Sequence, residues 1–157
     1  MNGMEILLIE DSPEDVEITL RAFRKTRLAN KIHVVRDGEE ALECMFNTGR
    51  YADRSVCSNA RLILLDLKLP KIDGIEILKR CKSDRRTKKI PVVVLTSSRE
   101  ERDMIDSYDL GANSYVVKPV DYSQLTETVR QLGLYWMVLN QLPSEIHTER
   151  ERVGDPQ

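Results

Sequence analysis

The sequence predicts an α/β domain built on a parallel sheet of five strands, doubly wound, in the order 2-1-3-4-5. Three observations lead there. Four strand-length apolar runs, Met4-Glu-Ile-Leu-Leu-Ile9, Leu62-Ile-Leu-Leu65, Pro91-Val-Val-Val-Leu95 and Ser114-Tyr-Val-Val117, lack clean period-2 alternation, as strands covered on both faces do. Helix-length amphipathic segments separate the runs, which is the pattern of right-handed βα crossovers. The length, 157 residues, suits one domain with a core large enough to fold without staples. In such a sheet the ligands sit outside the carboxyl ends of the strands.

Each element has its own signal. After the first run, Ser12-Pro13 followed by Glu14-Asp15 supplies an N-cap, a first-turn proline and acids that suit a helix N-terminus. Val16, Leu20 and Phe23 then recur at helical spacing. Lys31-Ile-His-Val-Val35 is weaker and more polar, so it reads as an edge strand. Segments 38–48, 74–83, 99–109 and 121–140 read as helices, with Gly111 in the usual stop position after the third of these. Residues 49–60 form a longer polar connection. In the last helix Leu125, Val129, Leu132, Trp136 and Leu139 form a stripe for packing on the sheet. Leu134, Tyr135, Met137 and Val138 occupy other faces of the same turns, so that helix end is expected to meet a second subunit or another protein. The domain is placed at residues 1–142, and the Glu- and Arg-rich tail 143–157 is expected to be mobile.

Composition narrows the function classes. Apolar residues make up 41% and charged residues 32%, an ordinary globular balance rather than that of a disordered chain. The 24 Lys and Arg against 26 Asp and Glu leave a net charge of −2, poor support for binding nucleic acid, which calls for a basic face. Cys44, Cys57 and Cys81 are an odd set without a C-x-x-C pair, so neither a disulfide framework nor a zinc site is indicated. No apolar run approaches the roughly 20 residues of a membrane span, and the start Met1-Asn-Gly-Met-Glu lacks a signal-peptide pattern. A cytoplasmic protein with no membrane association is the expectation. His33 and His147, the two histidines, read as an edge-strand residue and a tail residue. Cys44 and Cys81 read as packed, Cys57 as a loop residue.

The chemistry lies at the predicted strand ends. The first strand ends in Glu10-Asp11, the third in Asp66, the fourth in Thr96-Ser97 and the fifth in Lys118-Pro119. The topology gathers three carboxylates, two hydroxyls and an ammonium on one edge. Clustered carboxylates stay ionised only beside a cation, and a hard, oxygen-loving ion such as Mg²⁺ suits them. Positive groups around an acid nucleophile are what phosphoryl transfer needs, and an attacking aspartate would give an acyl phosphate. Asp66, central in the sheet, is the best-placed nucleophile. Taken singly, each residue has a plainer reading: Glu10 and Asp11 as capping acids, Asp66 as a solvated loop acid, Thr96 as a strand-end hydroxyl, Lys118 as a surface lysine. Jointly, the four strand ends favour a site.

At these residues the sequence resembles the receiver domains of two-component response regulators, over roughly residues 4–142. The resemblance rests on Leu8-Ile-Glu-Asp-Ser-Pro-Glu-Asp15, Leu64-Leu-Asp-Leu-Lys-Leu-Pro-Lys-Ile-Asp-Gly74, Val93-Val-Leu-Thr-Ser-Ser98 and Gly111-Ala-Asn-Ser-Tyr-Val-Val-Lys-Pro119, in that order and spacing. The long 49–60 connection and Leu132-Gly-Leu-Tyr-Trp-Met-Val-Leu139 are similar to the stand-alone regulators that partner phytochrome-type histidine kinases. The resemblance implies a flavodoxin-like (βα)5 fold and a phosphoacceptor rather than an enzyme, one that assists its own Mg²⁺-dependent phosphorylation and dephosphorylation. By its pattern Asp66 would accept the phosphoryl group from a sensor histidine kinase. Glu10, Asp11, the Asp66 carboxylate and the Lys68 backbone carbonyl would hold Mg²⁺, or Mn²⁺ in its place. Lys118 would pair with the phosphoryl group, Thr96 would move to hydrogen-bond it, and Tyr115 would turn inward in response. Small Ser97 leaves room for the group, Lys68 and Ser98 match positions that tune its lifetime, and the Lys118–Pro119 peptide would be cis. Glu10 stands where the family often has Asp.

Three rival readings compete with this one. A haloacid-dehalogenase-type phosphatase needs an acid two residues after its nucleophile, where this chain has Lys68. A flavodoxin-like nucleotide binder cradles phosphate after its first strand, where Glu10-Asp11 would repel it. A degenerate, non-phosphorylated receiver acting as a binding module is the remaining alternative, and retention of Glu10, Asp11, Asp66, Thr96 and Lys118 speaks against it. With no output domain in the sequence, signalling is expected through association, including a homodimer through the 99–140 surface.

Overall fold

The computed structural model describes residues 5–26, 31–53 and 60–141. Five strands, β1 (Ile6–Ile9), β2 (Ile32–Val35), β3 (Leu62–Leu65), β4 (Val92–Thr96) and β5 (Ser114–Val117), alternate with α1 (Pro13–Thr26), α2 (Gly38–Phe46), α3 (Gly74–Ser83), α4 (Glu101–Asp109) and α5 (Tyr122–Leu134). All pairings are parallel and the order is β2-β1-β3-β4-β5, as the sequence predicts. In register, Ile9 stands beside Val35 and Leu65, so β1, β2 and β3 end level. That alignment brings the residues after each strand to one edge.

The apolar runs divide their side chains between two cores, because successive residues of a strand point to opposite faces. Leu7, Ile9, Ile63, Leu65, Val92 and Val94 face the layer of α2, α3 and the start of β5. Ile6, Leu8, Leu62, Leu64, Val93 and Leu95 face α1 and α5, which pack together through Val16, Phe23, Leu125 and Val129. Every residue of β1, β3 and β4 is buried. At β2 only Val35 is buried, as befits an edge strand. At β5 all four residues are half-buried. The reading of 114–117 as covered on both faces is corrected: the strand order leaves β5 without a neighbour on one side, so it is the second edge.

Local signals set the helix starts. Ser12 Oγ accepts the Asp15 N–H at 3.3 Å, Asp37 accepts from Glu40 N, Asp73 from Ile75 N and Asp121 from Ser123 N, each a side-chain cap on an orphan amide. Helix α4 differs from the expected 99–109: it starts at Glu101, and its N-cap Glu100 makes no side-chain cap bond. The 38–48 helix stops at Phe46, where Asn47 takes a left-handed φ of 55°. Gly111, at φ +104°, ends the turn after α4 as predicted. Gly74 has a steric reason: a Cβ there would stand 2.6 Å from the Asp66 carbonyl oxygen and from Leu67 Cα, so only glycine lets α3 begin against the end of β3.

The last helix departs from the predicted 121–140. After Leu134 the α-helix gives way to a π-helical turn, Tyr135–Leu139, whose wider loop closes with Asn140 N–H on the Tyr135 carbonyl at 2.7 Å. The extra residue per turn rotates the apolar face. Met137 enters the core beside Trp136, while Leu139 is 61% exposed, so the two exchange the roles that strict helical spacing assigns. Arg61 reaches the Met137 carbonyl at 3.3 Å and so ties this turn to the start of β3. Leu134, Tyr135 and Val138 are exposed, as read.

Cys44 and Cys81 are fully buried. His33 on β2 is engaged, its Nε2 2.7 Å from the Tyr51 hydroxyl, which donates to Glu40 at 2.7 Å. Tyr51 belongs to a short 3-10 turn, Gly49–Tyr51, within the long connection. Cys57, His147 and the 143–157 tail lie outside the described residues.

The π turn sets a clear contrast. Met137→Ala is expected to cost about 2–4 kcal/mol in denaturant unfolding, as for a buried side chain, whereas Leu139→Ala should stay within about 0.5 kcal/mol of wild type. A regular helix would reverse the order.

Candidate phosphoryl-acceptor site at the carboxyl edge of the sheet

Backbone bonds continue past the strand ends and hold the site residues in place. Glu10 N–H donates to Val35 O at 3.0 Å, Asp66 N–H to Ile9 O at 3.0 Å and Lys118 N–H to Thr96 O at 2.8 Å. Glu10, Asp66, Thr96 and Lys118 are thereby extensions of four strands, and all four are buried. A polar residue in that position needs a partner, and each has one.

Asp66 is the centre. Its Oδ1 accepts the Thr96 hydroxyl at 2.9 Å and the Lys68 N–H at 3.1 Å. Its Oδ2 accepts the Lys118 ammonium at 2.9 Å. Lys118 Nζ also reaches Glu10 Oε1 at 2.5 Å and Asp15 Oδ2 at 2.8 Å. The second oxygen of Glu10 accepts the Ser12 N–H at 3.1 Å. One ammonium therefore serves three carboxylates.

Asp15 was read from sequence only as a first-turn acid of the helix. Its contact with Lys118 adds it to the site. The signal that would have found it is spacing: it lies one helical turn beyond Asp11, on a helix that starts at the carboxyl end of the central strands.

The charges disagree with burial, and the titration directions follow. Burial first, and the Asp66 charge second, push the Glu10 carboxyl up to about 7, against the pull of Lys118. Burial works against the Lys118 ammonium, yet the Glu10 charge and the bonds to Asp15 and Glu10 hold its pKa above the ordinary lysine value. Asp11, exposed at the rim, completes a set with Glu10 and Asp66 in which one oxygen from each lies within 4.8 Å of the others. An all-oxygen set short of positive charge fits a hard divalent cation.

The predicted site residues come together with one exception of distance. Tyr115, on edge strand β5, does not touch Thr96 or Asp66 through any bond; its hydroxyl donates to the Ser98 carbonyl at 3.1 Å, on the loop after β4. Ser98 in turn donates its N–H to Thr96 Oγ1 at 3.4 Å. Ser97 is exposed beside the site. The Lys118–Pro119 peptide is trans, since the described residues contain no cis bond, which corrects the family-based expectation. Trans is the lower-energy X–Pro isomer by about 0.5–1 kcal/mol, and Lys118 reaches all three carboxylates in that form.

Glu10 gives the pH prediction. Folded, it holds a proton up to about pH 7, and unfolded it releases one near 4.5, so the folded state binds more protons between those values and gains stability as pH falls. Denaturant unfolding of the metal-free chain should show rising stability from about pH 8 to about pH 5. In Glu10→Gln that slope should flatten.

Comparison with known proteins agrees with this geometry. The family model of the response regulator receiver domain matches residues 6–130. Response regulator Rcp1 of Synechocystis is 36% identical over 139 residues, which cover 88% of this chain and 92% of Rcp1. The crystal structure of the phosphorylated cyanobacterial phytochrome response regulator RcpA superposes with a TM-score of 0.83 at 40% identity, covering 90% of this chain and 99% of that one. The Mn²⁺-bound form of Rcp1 superposes equally well, with a TM-score of 0.83 at 36% identity over 89% of this chain and 99% of that chain. The strand-end motifs, their convergence on Asp66 and these likenesses have one reading: the chain belongs to the response regulator receiver domain family.

Proposed function

We propose that Asp66 is the phosphoacceptor of a two-component signalling pathway, taking its phosphoryl group from a phosphohistidine of a sensor histidine kinase of the phytochrome type. One observation carries the reading. Thr96, the Lys68 amide and Lys118 all donate to a single carboxylate at the carboxyl end of the central strand. Those are the donors that a phosphoryl group on Asp66 would need, already aimed at its position. An Asp66 oxygen attacks phosphorus, the N–P bond breaks, and the kinase imidazole recovers the electron pair. Lys118 neutralises one phosphoryl oxygen and Thr96 donates to another.

Glu10, Asp11 and Asp66, with the Lys68 backbone carbonyl, would hold Mg²⁺ or Mn²⁺. When bound, the ion supplies positive charge against the phosphoryl oxygens. The fit is one of charge: two buried acids, Glu10 and Asp66, and half-buried Asp15 share a single ammonium, and Asp11 at the rim adds a fourth acid. The likeness to a Mn²⁺-bound regulator supports the same assignment.

The output is read as association. Ile105, Tyr108, Tyr122, Tyr135 and Leu139 are each about half exposed or more, and Val120 is 93% exposed. These residues lie on α4, the β5–α5 loop and α5 with its π turn, a set of apolar side chains suited to a second copy of the chain. No helix among the described residues is long and apolar enough to cross a membrane.

Two measurements test this. Incubated with acetyl phosphate and Mg²⁺, the chain should gain one phosphoryl group by intact mass, and lose that gain in Asp66→Asn or with a chelator. No uptake by the wild type under any metal condition would support the inert binding module instead. Sedimentation with and without beryllofluoride should show a dimer, weakened by Tyr108→Asp; monomer throughout refutes the association.

A further inference from the structure

Asp103 lies in the first turn of α4 and in none of the four motifs, yet its carboxylate meets two residues that rim the site. Oδ2 accepts the Ser98 hydroxyl at 2.6 Å, and the Lys68 ammonium stands 3.5 Å away. Ser98 Oγ also accepts the Glu100 N–H at 3.3 Å, so it holds the amide of the α4 N-cap residue, which makes no cap bond of its own. The side chain of Asp103 is only 16% exposed against 59% for Lys68, so the aspartate is the fixed partner and the lysine the mobile one.

Both residues look two ways. Lys68 gives its backbone N–H to Asp66 and its ammonium to Asp103. Ser98 gives its backbone N–H to Thr96, the donor of Asp66, and its hydroxyl to Asp103. The Ser98 carbonyl accepts Tyr115 from the neighbouring strand. Asp103 therefore holds, from the α4 side, the side chains of two residues whose backbones already serve the Asp66 side.

We propose that Asp103 is an electrostatic latch that engages the Lys68 ammonium and the Ser98 hydroxyl in the unphosphorylated chain and gives them up to a phosphoryl group on Asp66. The inference rests on the phosphoacceptor reading above. A phosphoryl group brings close to two negative charges and three acceptor oxygens, against one carboxylate on the latch. When the two donors turn to it, Asp103 loses its partners and the α4 N-cap amide loses the oxygen that holds it. Site occupancy thereby reaches the surface that carries Ile105 and Tyr108. The coupling is reciprocal: whatever the phosphoryl group takes from the latch, the latch takes from phosphoryl affinity. Asp103 acts through Lys68 and Ser98 and is a positioning residue.

The test is titration calorimetry of the full chain with beryllofluoride and Mg²⁺, the fluoride complex standing in for the phosphoryl group. Asp103→Asn should bind it about two- to five-fold more tightly, the range expected for one partly exposed charged contact. Asp103→Glu should return to wild-type affinity. In a Lys68→Met/Ser98→Ala background the Asp103→Asn gain should vanish, because the shared donors are gone. Amide exchange at Glu100 and Met104 in the metal-free chain should be faster in Asp103→Asn, a readout independent of any phosphoryl mimic. Unchanged or weaker affinity in Asp103→Asn overturns the latch. A gain of equal size in the double background also overturns it, since that assigns the effect to removal of charge in general. A wild type that takes no beryllofluoride overturns the phosphoacceptor reading and the latch with it, whereas wild-type binding with no effect of Asp103→Asn leaves the former standing.

Discussion

Lys118 holds three carboxylates, and the arrangement of the site follows from that grip. Glu10, Asp15 and Asp66 all lie within hydrogen-bond distance of one buried ammonium. Remove the ammonium and like charges face each other in a low-dielectric pocket, where repulsion is strong. With it, the cluster still carries excess negative charge, which adds to burial, the larger cause, in raising the Glu10 carboxyl. Buried ion pairs seldom add much stability over an apolar substitute, and breaking one side of such a pair is costly. The cluster is better understood as a site kept short of positive charge, as the proposed divalent ion and phosphoryl group would require.

That grip depends on the parallel sheet. In a parallel array the strands end on one edge, and residues that follow different strands are brought side by side whatever their separation in sequence. Glu10 and Lys118 are 108 positions apart and are joined at 2.5 Å. The fully buried cores on both faces fix the register, because a slip of one residue would send every apolar side chain to the wrong layer. Gly74 contributes from below the site: without a Cβ it lets α3 pack against the Asp66 backbone. Rigidity there matters because preorganised donors stabilise transferred charge without having to reorganise.

The other end of the mechanism is softer. Edge strand β5 is half-buried throughout, and α4 starts without a side-chain bond from its own N-cap residue. Tyr115, Ser98 and Asp103 connect these two weaker elements to the loop beside Thr96. A switch is drawn from the parts of a fold with few buried contacts, and the proposed association face lies on α4, the β5–α5 loop and α5, beside these weaker elements. The π turn at Tyr135–Leu139 extends that face, by turning Leu139 outward while Met137 and Trp136 stay in the core.

Much of this was legible in the chain itself. Period and composition alone specify five strands, their helices and the Ser12 cap, because covered strands and amphipathic helices have distinct spacing. The four motif residues Glu10, Asp66, Thr96 and Lys118 were found because each ends or directly follows a strand, and Asp11 because it adjoins Glu10. Asp15 was missed, since a first-turn acid is equally explained by the helix dipole. Strict helical spacing put Leu139 inside and Met137 outside, because the shift to a wider turn leaves no mark in apolar periodicity. Burial of β5 was overestimated even though the predicted order already places it at an edge, since an apolar run by itself reports hydrophobicity and not cover. The amino-acid sequence by itself determined which chemical groups the sheet edge would carry, through local spacing. Only the tertiary structure decided which of them share a proton donor and which face is left open, because those depend on contacts between residues far apart in the chain.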